Sequence, residues 1–171
     1  MSTDNAATLI AVSGGDFRLS EAELAEIRHE LGHYEDPRAA TIEALKAVQK
    51  HRGWVPDAAV GAIASVLGIA SAEVEGVATF YNMIFRRPVG RHVIKVCDSI
   101  SCFLTGYDAL KDAITGHTGL TWGETSEDGR FTLLPVCCLG NCDKGPSLMI
   151  DEDTYGPVGP AEVPGLLERY R

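Results

Sequence analysis

Two tight cysteine pairs limit what this chain can fold into: Cys97 and Cys102 with four residues between them, and Cys138 and Cys142 with three. A loop of that length folds back without strain, so each pair can present two thiolates to one point. Two such loops that converge give four soft ligands for a metal centre. A fifth cysteine, Cys137, stands directly beside the second pair and raises the question of which thiolate is spare.

The cysteines are not needed as staples. A chain of 171 residues with 45% hydrophobic content can bury a core of its own, as one domain or two small ones. An odd cysteine count argues against full disulfide pairing. The first twenty residues have neither a basic start nor an apolar signal core, so no secretory signal is expected and the thiols are expected to be reduced. No stretch approaches the roughly 18 continuous apolar residues that cross a bilayer, and no direct membrane insertion is expected. The net charge of -9 is spread evenly, with 8 basic and 12 acidic side chains in residues 1–90 and 7 and 12 in residues 91–171. Without a basic face, nucleic acid is not an expected partner. Arg86-Arg87 reads as a solvated or partner-facing loop.

Residues 1–19 read as a mobile leader. Ser20-Glu21-Ala22-Glu23 then forms a capping box, followed by Leu24, Ile27, Leu31 and Tyr34 at helical spacing. Asp36-Pro37 starts a second helix, with Ile42, Leu45 and Val48 inward, that runs to about His51 and stops at Gly53. Trp54-Val55-Pro56 is an extended plug with Trp54 in the core. Asp57 caps a third helix, and Ser71 a fourth that turns Val74, Val77 and Tyr81 or Phe80 inward. These make residues 20–89 a helical bundle domain. From residue 90 the pattern changes. It gives a strand at 92–97, a helix at 103–115 with Leu104, Tyr107, Leu110 and Ile114 inward, a strand at 131–138, a hairpin at 147–150 and 155–158, and a closing helix at 162–170. The fold class expected is α/β, α+β overall: a four-helix region followed by a small layered domain over residues 90–171, with a thioredoxin-like arrangement the natural candidate.

Soft four-thiolate sites belong mainly to zinc or to iron-sulfur clusters. Structural zinc knuckles use short gaps, whereas a four-residue gap recurs in plant-type [2Fe-2S] ferredoxins, so the spacing leans to iron-sulfur. A zinc-stabilised interaction module is the alternative. On a strand only one of Cys137 and Cys138 can easily face the cluster, and spacing leaves that choice open. A centre with two histidine ligands is disfavoured, because no histidine sits in either loop: His92 precedes Cys97, and His29, His33 and His51 fall on helices of the other domain. A thiol oxidoreductase would want a Cys-x-x-Cys motif, which is missing. Nucleotide and phosphate loops and a nucleophile elbow are missing too. The acidic run Asp151-Glu152-Asp153 reads as a solvated turn rather than a calcium loop. Asp98 and Asp143 beside the ligands make cluster reduction harder, and Lys144 opposes them.

The stretches YEDPRAATIEALKAVQKHRGWVP, VEGVATFYNMIFRRPVGRHVIKVCDSISC and DGRFTLLPVCCLGNCDKGPSLMIDEDTYG resemble the E-subunit family of bacterial NADH-quinone oxidoreductase, respiratory complex I. The resemblance covers about Ser20 to Arg171. It implies a helical region followed by a thioredoxin-like [2Fe-2S] ferredoxin domain. It also implies one [2Fe-2S] cluster on Cys97, Cys102, Cys138 and Cys142, since the family's Cys-Leu-Gly-x-Cys loop falls on Cys138 to Cys142. Cys137 is then dispensable to the cluster. The implied partners are the flavin-bearing F subunit, which would hold FMN and NADH, and the adjacent iron-sulfur G subunit. The implied location is the peripheral arm on the cytoplasmic side of the bacterial inner membrane. Related subunits of NAD-linked hydrogenases and formate dehydrogenases share the motif.

Overall fold

The computed structural model describes residues 17–171, so the expected leader falls almost entirely outside the described residues. The described chain divides between Pro88 and Val89 into a helical unit and a sheet-bearing unit.

In the helical unit, α1 (Glu21–Leu31) starts as its sequence dictates. Ser20 Oγ accepts the Glu23 N–H at 3.2 Å, and the Glu23 carboxylate accepts the Ser20 N–H at 2.6 Å. Losing such a cap costs roughly 1 kcal/mol. Asp36 accepts the Arg38 N–H at 2.9 Å and opens a single 3-10 turn, Pro37–Ala40, from which α2 (Thr41–Arg52) continues to Gly53. α3 (Asp57–Leu67) and α4 (Ser71–Phe80) complete the unit. Ile27, Leu45, Val48, Val55, Ile63, Leu67, Val74 and Ile84 form its core.

Several local expectations are corrected. Asp57 and Ser71 are the first residues of their helices and cap neither of them. Ile42 and Trp54 are only half-buried, and Val55 is the true plug, its N–H donating to the Phe85 carbonyl at 2.7 Å. Tyr34 lies past the end of α1 at the surface. Phe80 and Tyr81 point outward, Phe80 being 80% exposed. Arg86 is not a solvated loop residue. Its guanidinium donates to the Val55 carbonyl at 2.5 Å, to Asp57 at 2.8 Å and to Glu75 at 2.9 Å, tying the segment after α4 to the start of α3.

The second unit is a four-stranded mixed sheet of β1 (His92–Cys97), β2 (Phe131–Val136), β3 (Leu148–Ile150) and β4 (Asp153–Tyr155), in the spatial order β2-β1-β3-β4. β1 runs parallel to β2, with Cys97 opposite Val136, and antiparallel to β3. β3 turns through Asp151 into β4. Ile94, Val96, Leu148 and Ile150 on one face of the sheet join Leu110 and Ile114 of α6 (Tyr107–Thr118) and Val163, Leu166 and Leu167 of α7 (Val163–Leu167) in one core. The expected single helix after the first cysteine pair is two: a short α5 (Ile100–Thr105) and α6, broken at Gly106. Its expected inward residue Leu104 is 77% exposed. β2 stops two residues short of Cys138, β4 lies earlier than expected, and the closing helix is shorter. Asp151 is more than a solvated turn residue, because its carboxylate accepts the Val93 N–H at 2.9 Å and lies 2.7 Å from His92 Nδ1.

Candidate metal centre

The site is assembled where two parallel neighbours end together. Cys97 is the last residue of β1, and its partner in register, Val136, is the last residue of β2, so the chains leaving both strands emerge at the same edge. The first exit passes through Asp98 and Ser99 into α5, whose third residue is Cys102. Cys102 therefore sits inside a helix rather than opening one. A six-residue helix with Cys102 facing in carries Ile100, Phe103 and Leu104 outward.

The second exit runs through Cys137 and Cys138. Gly140, at φ 76, takes a left-handed turn that suits a residue without Cβ. The chain folds back there and brings Cys142 Sγ to 3.7 Å from Cys138 Sγ. Ser147 fixes this loop to the first. Its buried hydroxyl donates to the Lys144 carbonyl at 2.8 Å and accepts from Asn141 Nδ2 at 3.2 Å, while its carbonyl accepts the Cys97 N–H at 3.1 Å. Nothing in the sequence pattern marks Ser147 or Asn141 for this work; polar residues in a short turn are too common to single out.

The sulfurs act on one another. Burial raises the Cys102 thiol pKa, and its neighbour Cys97 raises it further. The Gly140 N–H, 3.4 Å from Cys138 Sγ, lowers the Cys138 value, with Cys142 and Cys97 assisting. Cys138 in turn raises the Cys142 value, and Cys97 adds to it. Cys97 and Cys102 are buried, whereas Cys138 and Cys142 are exposed. Cys137 is exposed as well; its carbonyl oxygen lies 3.7 Å from Cys97 Sγ, but among the described residues its thiol joins none of these interactions. Strand alternation does not separate Cys137 from Cys138, because both lie past the end of β2. The turn at Gly140 sets Cys138 Sγ, rather than Cys137 Sγ, against Cys142 Sγ.

The donor set suits a thiophilic metal. With metal–sulfur bonds of about 2.3 Å, two thiolates on one tetrahedral metal lie about 3.8 Å apart, and the Cys138–Cys142 separation of 3.7 Å matches that edge. His29, His33 and His51 belong to the helical unit, and His92 is engaged with Asp151.

Residues 27–171 match the family model of the thioredoxin-like [2Fe-2S] ferredoxins. The chain belongs to that family. It is also similar to the E subunit of the NADH-quinone oxidoreductase of Salmonella typhimurium, 63% identical over 155 residues that span 91% of this chain and 93% of the relative. The protein of the same name from Escherichia coli strain K12 is 62% identical over the same shares. That from Pseudomonas aeruginosa is 62% identical over 90% of this chain and 93% of its own length. Among solved structures, an NAD+-reducing [NiFe]-hydrogenase superposes with a TM-score of 0.62 at 21% identity, over 74% of this chain and 22% of the hydrogenase chain. At that identity the likeness concerns the fold alone. Among the described residues no helix is long and apolar enough to cross a membrane.

Proposed function

We propose that this chain is an electron-transfer subunit of an NADH-quinone oxidoreductase, with one [2Fe-2S] cluster held by Cys97, Cys102, Cys138 and Cys142. The observation that carries the reading is the departure of both cysteine loops from the common end of β1 and β2, with Cys138 and Cys142 Sγ brought to 3.7 Å of each other. When bound, such a cluster accepts and returns one electron at a time. The protein's own contribution is to hold the thiolates, to bury Cys97 and Cys102 from solvent, and to direct the Gly140 N–H at Cys138 Sγ, where a hydrogen bond stabilises negative charge.

The electron partner in this reading is the FMN of a flavin-bearing F subunit that binds NADH, with an iron-sulfur G subunit adjacent. The complex would stand in the peripheral arm on the cytoplasmic side of the bacterial inner membrane. Support comes from the names of the relatives and from the outer face of α5. There Ile100, Phe103 and Leu104 are 67%, 52% and 77% exposed on the very helix that holds Cys102. Apolar side chains clustered at the surface mark interaction sites, and an electron carrier needs its partner close to its metal centre.

Anaerobic purification followed by iron, sulfide and zinc analysis tests the cluster. Iron and acid-labile sulfide in about 1:1 ratio, with a rhombic electron paramagnetic resonance signal after reduction, are expected for a two-iron cluster. Stoichiometric zinc in a colourless protein would refute the reading.

A further inference from the structure

The end of α1 carries a pattern that the electron-transfer reading leaves unused: His29-Glu30-Leu31-Gly32-His33. Histidines four apart lie on one helical face only while the helical path continues, and α1 formally ends at Leu31. The path nevertheless continues. Gly32 is right-handed, with φ -66 and ψ -14, and the His33 N–H donates to the Glu30 carbonyl at 3.0 Å. The turn tightens without breaking, and His33 comes to rest over His29 with their ring centroids 4.8 Å apart and their planes at 68°. Both imidazoles are exposed.

We propose that His29 and His33 form a two-imidazole site for a divalent transition-metal cation, separate from the cysteine centre. With metal–nitrogen bonds of about 2.1 Å, two imidazoles sharing one tetrahedral ion have ring centres roughly 5 Å apart. The observed 4.8 Å is a span that one ion can bridge once a nitrogen of each ring turns toward it. Neutral imidazole suits zinc, nickel and copper, and not the hard oxygen-seeking cations. The C-terminal end of a helix also carries partial negative charge that favours a cation.

The spacing is that of zinc peptidases, in which two histidines bind the metal and the glutamate acts as base. The chemistry here is different. A catalytic zinc takes three protein ligands, and among the described residues no third His, Cys, Asp or Glu joins this pair. The site is a chelating pair whose remaining positions are filled by water or by an external donor.

The test is an anaerobic titration of the full-length, cluster-loaded protein with Ni2+ and separately with Mg2+, followed by calorimetry and by the imidazole NMR resonances. Wild type is expected to take one Ni2+ with paramagnetic broadening of the His29 and His33 resonances, and to give no heat with Mg2+. His29→Ala and His33→Ala should each weaken Ni2+ binding at least tenfold while leaving the cluster signal unchanged. Equal Ni2+ affinity in wild type and both variants would overturn the proposal, as would the absence of saturable Ni2+ binding, or comparable binding heat with Mg2+ that is lost in both variants.

Discussion

Cys137 and Cys138 are chain neighbours with different surroundings. Cys138 Sγ receives the Gly140 N–H and lies against Cys142 Sγ, while Cys137 offers its backbone carbonyl toward Cys97. Cys137→Ser keeps that carbonyl, so it is expected to leave the visible and paramagnetic resonance spectra of the reduced protein intact. Cys138→Ser removes a proposed ligand and is expected to abolish or grossly alter them. Spectra of the two purified variants decide this, and the reverse pattern would move the ligand to Cys137. Glu23 makes a different argument in the helical unit. It is 1% exposed and ionised against Arg52, whose Nη2 lies 2.8 Å from its Oε2. Burial pushes its pKa up, but the Arg52 guanidinium and the two Ser20 hydrogen bonds outweigh that and hold it below the ordinary value. A carboxyl lowered in the fold contributes stability above its unfolded pKa, about 4.3, and loses that contribution as pH falls through the folded value. Glu23→Gln is therefore expected to destabilise the protein at pH 7 by about 1–3 kcal/mol, discounted for the partial exposure of Arg52. The deficit should shrink below about pH 4, which chemical denaturation across pH would measure.

Elements hold these residues through contacts of unequal visibility. Gly156 follows β4, and a Cβ there would collide with the Lys144 carbonyl and come within 2.6 Å of both Asn141 Nδ2 and Ser147 Oγ. A backbone oxygen cannot move aside as the tip of a side chain can. Gly156→Ala is expected to displace the turn after Cys142 and lower cluster occupancy. Iron content per chain checks this, with Gly165→Ala, where nothing lies within 4 Å, as the neutral control. No pattern in the sequence announces that Gly156 is needed, since the contact spans residues far apart along the chain. What could be read was local. The Ser20 capping box, the stop at Gly53, the six residues of β1 and the order of elements in the sheet-bearing unit all rest on short-range chemistry. What escaped depended on packing. Leu104 fits a helical stripe inward from residue 103, yet the helix breaks at Gly106, and the short piece before it turns about Cys102 instead. Phe80 and Tyr81 fit an inward phase that α4 does not adopt, and Arg86 looked solvated because its partners, the Val55 carbonyl, Asp57 and Glu75, lie in other elements. The cysteine pairs were legible because ligand spacing is itself a local property.

At the scale of the whole molecule, a chain of net charge -9 exposes apolar side chains where an acidic protein could readily place charged ones. On the sheet-bearing unit the outer face of α5 is continued by the stacked rings of Tyr107 and Trp122, 6.5 Å apart and nearly parallel, with Phe103 6.2 Å from Tyr107. Aromatic and aliphatic anchors of this kind carry much of the energy of protein interfaces. Solvent exposure of Leu104 contributes nothing to the unit's own core, so a substitution there separates assembly from folding. Leu104→Glu is expected to leave the thermal midpoint and the reduced cluster signal of the isolated chain unchanged. It should weaken association with the proposed flavin-bearing partner tenfold or more, about 1.4 kcal/mol or above, because a buried carboxylate at an interface must be desolvated or protonated. Co-purification of the tagged variant with its partner, alongside the rate of cluster reduction by NADH in the reconstituted pair, measures both consequences. Full association by a variant with a native cluster would show that the partner docks elsewhere, and the apolar face of α5 would then need another occupant.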